Sequence, residues 1–305
     1  MKRRDFLKTA AIAGLALSNG AAAQESPAQP AAPYDLVAIM GGEPDAMFRQ
    51  AIAQLGGMER FVKNGHKVVI KPNMGWDKPP ELAANTNPLL MAEIVRQCLT
   101  VGASQVVVFD NTCDFWSNCY QNSGIAEAAT AAGARVVPGH QETYYRAITL
   151  PRGVKLSSAK VHQAILDSDV WINVPVLKHH GGANLSMAMK NYMGIVWDRR
   201  FFHANDLQQC IADICSMEKR ALLNVVDAYR VVKSNGPRGV SQADVVTGKS
   251  MFISQDIVAV DTAAARFFSQ IEKMPLEHIP YLANGQKLNL GTMDLDKLNI
   301  KRIKI

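Results

Sequence analysis

Polar and cationic side chains follow several apolar runs of this sequence, at the points where buried strands are expected to end. Lys71 and Asn73 follow one such run, and Asp110 follows the next. Lys178 and Asp227 follow two further runs. A lysine that borders a buried run needs an anionic partner or ligand, because an unpaired ammonium is costly to bury. These residue types predict a site that binds an anion, with a carboxylate beside it that can take part in proton transfer.

A Lys-His-His-Gly-Gly stretch begins at Lys178, and the residues after it predict a helix that carries Lys190 and Asn191. A glycine-rich turn that leads into a helix can hold a phosphate or carboxylate group. His179 and His203 are the candidates for moving protons at this site, since imidazole titrates near neutral pH. No Gly-x-x-x-x-Gly-Lys-Ser/Thr sequence occurs, nor does a Gly-x-Gly-x-x-Gly after a strand. The motifs therefore do not indicate a nucleotide.

The imidazoles of this region could instead bind a metal ion. His179, His180, His203, Asp206 and Asp110 offer nitrogen and carboxylate ligands that suit several divalent ions. Adjacent histidines point in different directions, so only one of the pair at 179 and 180 would be a ligand. No His-x-x-x-His spacing supports such a site. The metal stays an alternative, and no ligand set is assigned to it.

Two positions nearer the carboxyl terminus add to the candidate site. Gly236 lies in an Asn-Gly-Pro-Arg-Gly turn. Asp261 interrupts the apolar face of a predicted helix, and Asp256 is the expected cap of that helix. An aspartate among apolar residues needs a specific partner, which makes Asp261 a candidate for ligand binding.

Segments with strand and helix character alternate along the chain. Continuous apolar strands separated by helices are typical of a mostly parallel sheet covered by helices on both faces. Residues 143–155 predict an additional hairpin, and residues 298–305 predict a basic strand near a sheet edge. The carboxyl ends of parallel strands line one crevice, so the polar residues above are expected to meet there. The predicted strands are 35–40, 67–70, 105–109, 135–137, 170–174, 222–226, 245–246 and 251–253, and the predicted helices are 45–55, 88–101, 123–132, 158–166, 184–196, 206–217 and 257–268.

The composition of the 305 residues is that of a folded protein. Hydrophobic residues make up 48% of the chain and charged residues 20%, which excludes a disordered or collagen-like chain. The formal net charge is +6, and half of it lies in residues 1–23. The remaining charge is too small to indicate nucleic-acid binding, and the sequence shows no stripe of basic and aromatic residues.

The amino-terminal residues predict export. The segment Arg3-Arg4-Asp5-Phe6-Leu7-Lys8 resembles the twin-arginine consensus, and an apolar run that is too short to span a bilayer follows it. Ala21 and Ala23 predict cleavage before Gln24. We therefore expect a signal peptide at 1–23, a linker at 24–33 and a single α/β domain at 34–305. The expected location is the periplasm, reached through the twin-arginine export machinery and without a stable membrane anchor.

Five cysteines have to be considered in that oxidising compartment. Cys113 and Cys119 are expected in one loop, where they could form a disulfide or contribute metal ligands. Cys98, Cys210 and Cys215 are expected to be buried apolar residues. The sequence contains no Cys-x-x-Cys spacing, so it carries no motif for a self-contained iron–sulfur cluster.

Short motifs in a fixed order between residues 35 and 270 resemble the domain of unknown function 362 family. They are Val-Val-Ile-Lys-Pro-Asn at 68–73, Asn-Pro at 87–88, Val-Val-Val-Phe-Asp at 106–110, Asn-Val-Pro-Val-Leu-Lys-His-His at 173–180, Met-Lys-Asn-Tyr-Met-Gly at 189–194, His203, Val-Val-Asp-Ala at 225–228, Asn-Gly-Pro-Arg-Gly at 235–239 and Ala-Val-Asp at 259–261. Many relatives carry an appended ferredoxin module, so the resemblance implies a redox role. This chain lacks that module and its cysteines. The family positions that coincide with the expected crevice are Lys71, Asn73, Asp110, Lys178, Lys190, Asn191, His203, Asp227, Gly236 and Asp261.

Two functional hypotheses follow. The first is an exported enzyme that depends on a cofactor or metal, such as an oxidoreductase, and acts on a small anionic molecule. In it Lys178, Asp110 and either His203 or His179 form the catalytic group, and the other family positions bind ligand or cofactor. The second is a periplasmic binding or accessory protein that holds an anion or a metal without chemistry. The identity of any cofactor, metal or iron–sulfur centre stays open at this point.

Overall fold

Eight strands form the main path of a single sheet, in the order β12-β1-β11-β10-β7-β2-β3-β4. In this computed structural model, residues 33–305 are described; the predicted signal peptide, and the predicted linker except for its last residue, lie outside them. Two short strands, β8 and β9, extend the sheet beside β10, and β5 and β6 form a separate hairpin. The strands are β1 (Leu36–Met40), β2 (Lys67–Pro72), β3 (Gln105–Val108), β4 (Arg135–Val136), β5 (Tyr145–Thr149), β6 (Ser158–His162), β7 (Val170–Val174), β8 (Val176–His180), β9 (Asn184–Ser186), β10 (Leu223–Val232), β11 (Val245–Ser254) and β12 (Ile300–Lys304).

Most neighbours along this path are parallel. The pairs β12 with β1, β10 with β7, β7 with β2, β2 with β3 and β3 with β4 are parallel, and only β11 runs antiparallel to both of its neighbours. Strand β1 lies between β11 and β12, so that Leu36 pairs with Ser254 on one side and with Ile300 on the other. The predicted class, a mostly parallel sheet with a hairpin and a terminal strand in addition, is confirmed.

Helices cover both faces of the sheet. Alternate residues of the strands supply two separate cores: Val69 and Trp171 pack on one face, and Val68 and Ile70 pack on the other. The face of Val69 is covered mainly by α8 and α9, and the opposite face by α1 and α2. The helices are α1 (Pro44–Gln54), α2 (Pro88–Thr100), α3 (Trp116–Asn122), α4 (Ile125–Ala131), α5 (Gln163–Leu166), α6 (Ala188–Asn191), α7 (Arg200–Ala204), α8 (Leu207–Cys215), α9 (Ile257–Phe268) and α10 (Pro280–Lys287).

Helix α2 illustrates how local sequence sets these boundaries. The Asn87 side chain accepts a hydrogen bond from the backbone N–H of Leu89. Pro88 occupies the first turn, where its lack of an N–H costs no hydrogen bond within the helix. Asp256 caps α9 in the same way, with its carboxylate accepting from Val258 and Ala259. Both predicted caps are confirmed. Among residues 33–305, no helix is both long enough and apolar enough to cross a membrane.

The predicted helix over 158–166 is wrong in its first half. Residues Ser158–His162 form β6, which pairs with β5, and the helix α5 begins only after them. Strand β6 alternates an exposed Lys160 with a buried Val161 over its central residues, the period-two pattern of a half-buried strand. The turn at residues 151–153 therefore joins β5 to β6 instead of lying inside a hairpin confined to 143–155.

The predicted helix over 184–196 is also wrong over its first residues. Residues Asn184–Ser186 form β9, paired with β8, and a helix begins at Ala188. His179 and His180, which were expected in a loop, belong to strand β8. Asn184 has a φ of 64°, in the left-handed region that asparagine tolerates better than most residues, which allows the sharp turn into β9. Helix α3 was not predicted, because only its buried residues Cys119 and Tyr120 give it an apolar face.

Candidate functional site

A cavity of about 1420 Å³ opens at the carboxyl ends of β2, β3 and β8. Its position agrees with the crevice expected for an open parallel sheet. Seven of the predicted site residues line it: Lys71, Asn73, Asp110, Lys178, Lys190, Asn191 and His203. The other four, His179, Asp227, Gly236 and Asp261, do not.

The base of the cavity is a buried ion pair. Lys71 Nζ lies 2.8 Å from Asp110 Oδ1 and donates to Asn191 Oδ1 at 2.8 Å, and both charged side chains are at most 3% exposed. Burial lowers the pKa of Lys71, and the charge of Asp110 acts in the opposite direction. Gly194 makes room for the pair, because a Cβ at that position would lie 2.2 Å from Asp110 Oδ1. The positive charge of Lys71 is therefore neutralised within the protein.

Lys178 has no such carboxylate partner. Its ammonium donates to Asn73 Oδ1 at 3.3 Å and to the carbonyl oxygen of Ala84, both of which are neutral acceptors. The side chain is only 1% exposed. Burial lowers the pKa of Lys178 to about 7, so the amine exchanges its proton near neutral pH. A buried cation without a counter-ion, on the wall of a cavity, is the feature of an anion site.

Lys190 extends this arrangement from helix α6. No hydrogen bond or ion pair joins its ammonium to another residue of the described chain, and burial lowers its pKa to about 8. Helix α6 is held in place by Asp261, whose carboxylate oxygens accept the backbone N–H groups of Ala188 and Met189 at 2.7 and 2.8 Å. Burial raises the pKa of Asp261 to about 8, and these two donors lower it. Asp261 therefore positions Lys190 from outside the cavity.

His180 is the histidine that strand β8 turns toward the cavity. Its Nδ1 accepts the backbone N–H groups of Gly182 and Ala183, each at 3.0 Å. Burial, and then the nearby charge of Lys190, lowers the pKa of His180 to about 3. A neutral ring whose Nδ1 is an acceptor must carry its proton on Nε2. His180 thus presents a fixed N–H donor beside Lys178.

His179 and His203 have different surroundings. His179 does not line the cavity, and its Nδ1 accepts the backbone N–H of Gly236 at 3.2 Å. A Cβ on Gly236 would lie 2.0 Å from the carbonyl oxygen of His179, so glycine permits this close approach. His203 lies at the exposed rim, and partial burial lowers its pKa. His203 therefore belongs to the cavity, whereas His179 holds the loop that contains Gly236 in place.

Asp227 is also a supporting residue. Its two carboxylate oxygens accept the backbone N–H groups of Asn87 and Tyr229 at 2.8 and 2.9 Å, which ties the start of α2 to β10. Burial raises the pKa of Asp227 to about 6, against these hydrogen bonds. Its contribution to the site is to fix the elements that surround the cavity.

Arg199 and Trp76 line the cavity but are not among the predicted site residues. His180 and Cys113 line it as well, and the sequence indicates them only as metal ligands or, for Cys113, as a disulfide partner. The Arg199 guanidinium donates to the carbonyl oxygens of Asn111 and Thr112 and so clamps the loop after β3. Lys178 and Arg238 lie 5.8 and 5.4 Å from the ring of Trp76, within cation–π distance. The period of β8 could have indicated His180, because residues 178 and 180 share one face of a strand.

The metal and disulfide alternatives receive no support from the geometry of residues 33–305. In this part of the chain no three His, Cys, Asp or Glu side chains are arranged to hold a metal ion. All five cysteines are free thiols. Cys119 is buried on α3, and Cys113 is exposed, so the expected loop that contains both is corrected.

The open, mostly parallel sheet, with a lysine-lined cavity at the carboxyl ends of its strands, defines an α/β protein with a cationic crevice. The family can now be stated as well. The chain belongs to the domain of unknown function family DUF362, whose model matches residues 68–266. The family predicted from the short motifs is thereby confirmed.

Known proteins similar to this chain include one curated relative and two solved structures. The thylakoid-associated protein sll1697 of Synechocystis is 26% identical over 254 residues, which cover 81% of this chain and 75% of the relative. A crystal structure of a Thermotoga maritima protein has a TM-score of 0.52 at 12% identity, covering 75% of this chain and 60% of that one. The lactate racemase apoprotein of Thermoanaerobacterium thermosaccharolyticum has a TM-score of 0.49 at 13% identity, and the match covers 77% of this chain and 57% of the racemase chain. At this identity, the likeness to the Thermotoga protein shows a common fold alone.

Proposed function

We propose that this DUF362 protein is an enzyme that acts on a small, multiply charged anion bound between Lys178, Lys190 and the Nε2–H of His180. The observation that carries the proposal is the uncompensated charge of Lys178, which is 1% exposed and has only neutral acceptors within the protein. Transfer of an ammonium from water into a protein interior is unfavourable unless a negative charge accompanies it. A bound anion would supply that charge.

The titration behaviour of the two lysines favours an enzyme over a protein that only holds an anion. A site that only captures anions gains most from cations that stay charged, as arginine does. Here burial brings the pKa of Lys178 to about 7 and that of Lys190 to about 8. Proton transfer is most efficient when the pKa of the group lies near the working pH. The cavity therefore combines the groups that general acid–base catalysis requires.

Each group in the cavity then has a distinct part in the proposed reaction. Lys190 in its charged form holds the anion, and Lys178 exchanges a proton with it. His180 stays neutral and donates a hydrogen bond from Nε2 to an oxygen of the substrate, where negative charge can develop. The Lys71–Asp110 ion pair forms the floor of the cavity beneath these groups and adds no net charge to it. His203, at the rim, is placed to exchange protons with solvent.

Replacing Lys178 by methionine is expected to weaken the binding of sulfate roughly 10- to 100-fold, the value of one charge-assisted hydrogen bond. Sulfate is a suitable probe because it keeps its two negative charges from acid to alkaline pH. In the unmodified protein the affinity should fall as the pH rises through about 7 and then about 8, since each lysine binds an anion only in its protonated form. Isothermal titration calorimetry at several pH values measures both effects.

Lys160→Met is the matched control for this experiment. Lys160 also lines the cavity, but its ammonium is paired with Glu142 and its side chain is half exposed. The change removes the same charge from the same cavity, and it should alter the affinity for sulfate by less than about threefold. Equal losses in the two variants, or an affinity that does not change between pH 6 and pH 9, would contradict the proposal.

We also propose that the protein is exported to the periplasm through the twin-arginine route. The support is the Arg3-Arg4 pair with the apolar run and the Ala-x-Ala sequence after it. Replacing both arginines by lysine keeps the charge and removes the pair, so we expect the protein to accumulate in the cytoplasm without cleavage. Cell fractionation followed by mass spectrometry of the amino terminus measures the outcome. Normal cleavage and export of the double variant would overturn this assignment.

A further inference from the structure

Cys113 differs from the other cysteines in its surroundings. Cys98, Cys119, Cys210 and Cys215 are at most 1% exposed, whereas Cys113 is exposed and lines the cavity. Burial raises the pKa of Cys98 and of Cys119 to about 12, and that of Cys210 to about 11. These four thiols are out of reach of a dissolved reagent and are poor nucleophiles in the folded protein.

The sulfur of Cys113 lies among cations. Nη1 of Arg199 is 3.2 Å from Cys113 Sγ. Lys178 and Lys190 line the same cavity. A Cβ built on Gly75 would lie 3.7 Å from Cys113 Sγ and 3.9 Å from Asn73 Oδ1, which accepts a hydrogen bond from the Lys178 ammonium. The thiol therefore lies beside the guanidinium and on the same part of the cavity wall as Lys178, and it shares the cavity lining with Lys190.

A second observation points to a ligand at this place. Lys178 is a buried cation on the same cavity wall and has no carboxylate partner. A negatively charged molecule that enters the cavity to meet Lys178 also comes within reach of Cys113. A neutral molecule of similar size would gain nothing from these charges.

We propose that Cys113 is a site of covalent modification at which anionic disulfides react in preference to neutral ones. The inference rests on the proposed function in one respect, because both require a cationic cavity that is open to dissolved anions. After Cys113 loses its proton to water, its sulfur attacks one sulfur of the disulfide. A new S–S bond forms to the protein, the S–S bond of the reagent breaks, and the second half leaves as a thiolate with the electron pair. The disulfide is the oxidant, and the Cys113 sulfur is oxidised.

The experiment compares two disulfides on the folded, full-length protein. One is 5,5′-dithiobis(2-nitrobenzoate), which carries two carboxylates, and the other is 4,4′-dithiodipyridine, which is neutral. We expect one of the five thiols to react in the folded protein, and none in Cys113→Ser. The ratio of the anionic to the neutral rate constant should fall roughly fivefold in Lys190→Gln and in Arg199→Gln, through the loss of one nearby charge.

Lys287→Gln is the matched control, because it removes one positive charge from α10, outside the cavity lining. Its rate ratio should equal that of the unmodified protein. Reaction of another cysteine, or an unchanged ratio in both Lys190→Gln and Arg199→Gln, would overturn the inference. The loop after β3 is held by Arg199 and can rearrange in Arg199→Gln. Lys190→Gln does not alter that contact, so its rate ratio still tests the inference.

The two proposals can fail separately. If sulfate does not bind but the rate ratio falls in the two variants, Cys113 is the modification site and the proposed anion-binding function is wrong. If sulfate binds and depends on Lys178 but the ratio does not change, the proposed function stands and this inference is wrong.

Discussion

Asp110→Asn is expected to lower the free energy of unfolding by about 3–5 kcal/mol at neutral pH, the range observed when one partner of a buried ion pair is removed. Asparagine keeps the shape of the side chain but removes the charge that balances Lys71 at 2.8 Å. The ammonium, at 1% exposure, is then left with neutral acceptors such as Asn191 Oδ1 and no negative charge beside it. Urea unfolding followed by circular dichroism measures the loss.

The pH dependence of this loss tests its electrostatic origin. Without Asp110, burial and the nearby charge of Arg199 lower the pKa of Lys71 further, so the variant must release a proton when it folds. That release becomes easier as the pH rises toward the ordinary pKa of lysine, so the deficit should shrink between about pH 7 and about pH 10. The double variant Lys71→Met, Asp110→Asn should regain most of the stability. A deficit that is constant with pH and persists in the double variant would contradict this explanation.

Asp261→Ala is expected to lower the free energy of unfolding by about 2–6 kcal/mol, because two buried N–H groups lose their acceptor at about 1–3 kcal/mol each. These are the N–H groups of Ala188 and Met189, which lead into the helix that carries Lys190. The affinity for sulfate should fall with the stability, although Asp261 does not line the cavity. Urea unfolding and calorimetry on the same preparation measure the two losses.

Asp261→Asn separates this effect from a simple loss of packing. The amide keeps one acceptor oxygen and nearly the same volume, so about half of the loss in stability should remain. A loss in Asp261→Asn equal to that in Asp261→Ala would show that the two N–H groups are not the cause. An unchanged affinity for sulfate in Asp261→Ala would show that the hydrogen bonds of Asp261 do not position Lys190.

The sequence predicts the strands and helix starts around the site well, because residues close together in sequence determine them. Apolar runs that end in Lys71 and Asp110 read as strands with polar exits, and a parallel sheet brings such exits together. Asn87 and Asp256 identify the starts of two helices by their capping chemistry alone. These predictions need no knowledge of distant parts of the chain.

Contacts between distant segments could not be predicted in this way. One of the two acceptors of Lys178 is the carbonyl oxygen of Ala84, a backbone atom with no signature in the sequence. Asp261 looks like a ligand residue until the fold shows that it accepts N–H groups 72 and 73 residues earlier in the chain. Choosing between His179 and His180 required only the boundary of β8, since a strand turns neighbouring side chains to opposite faces.

The position of β1 between β11 and β12 has a consequence for biosynthesis. Leu36 leaves the ribosome long before Ser254 and Ile300, the residues with which it pairs on either side, have been made. The buried side chains Val37 and Ile39 must therefore stay without their strand partners until β11 and β12 have been made. Pairing across such sequence separations is slow, and unpaired apolar strands invite aggregation until it is complete. The sheet is therefore completed in a late step, which joins β1 to β11 and β12.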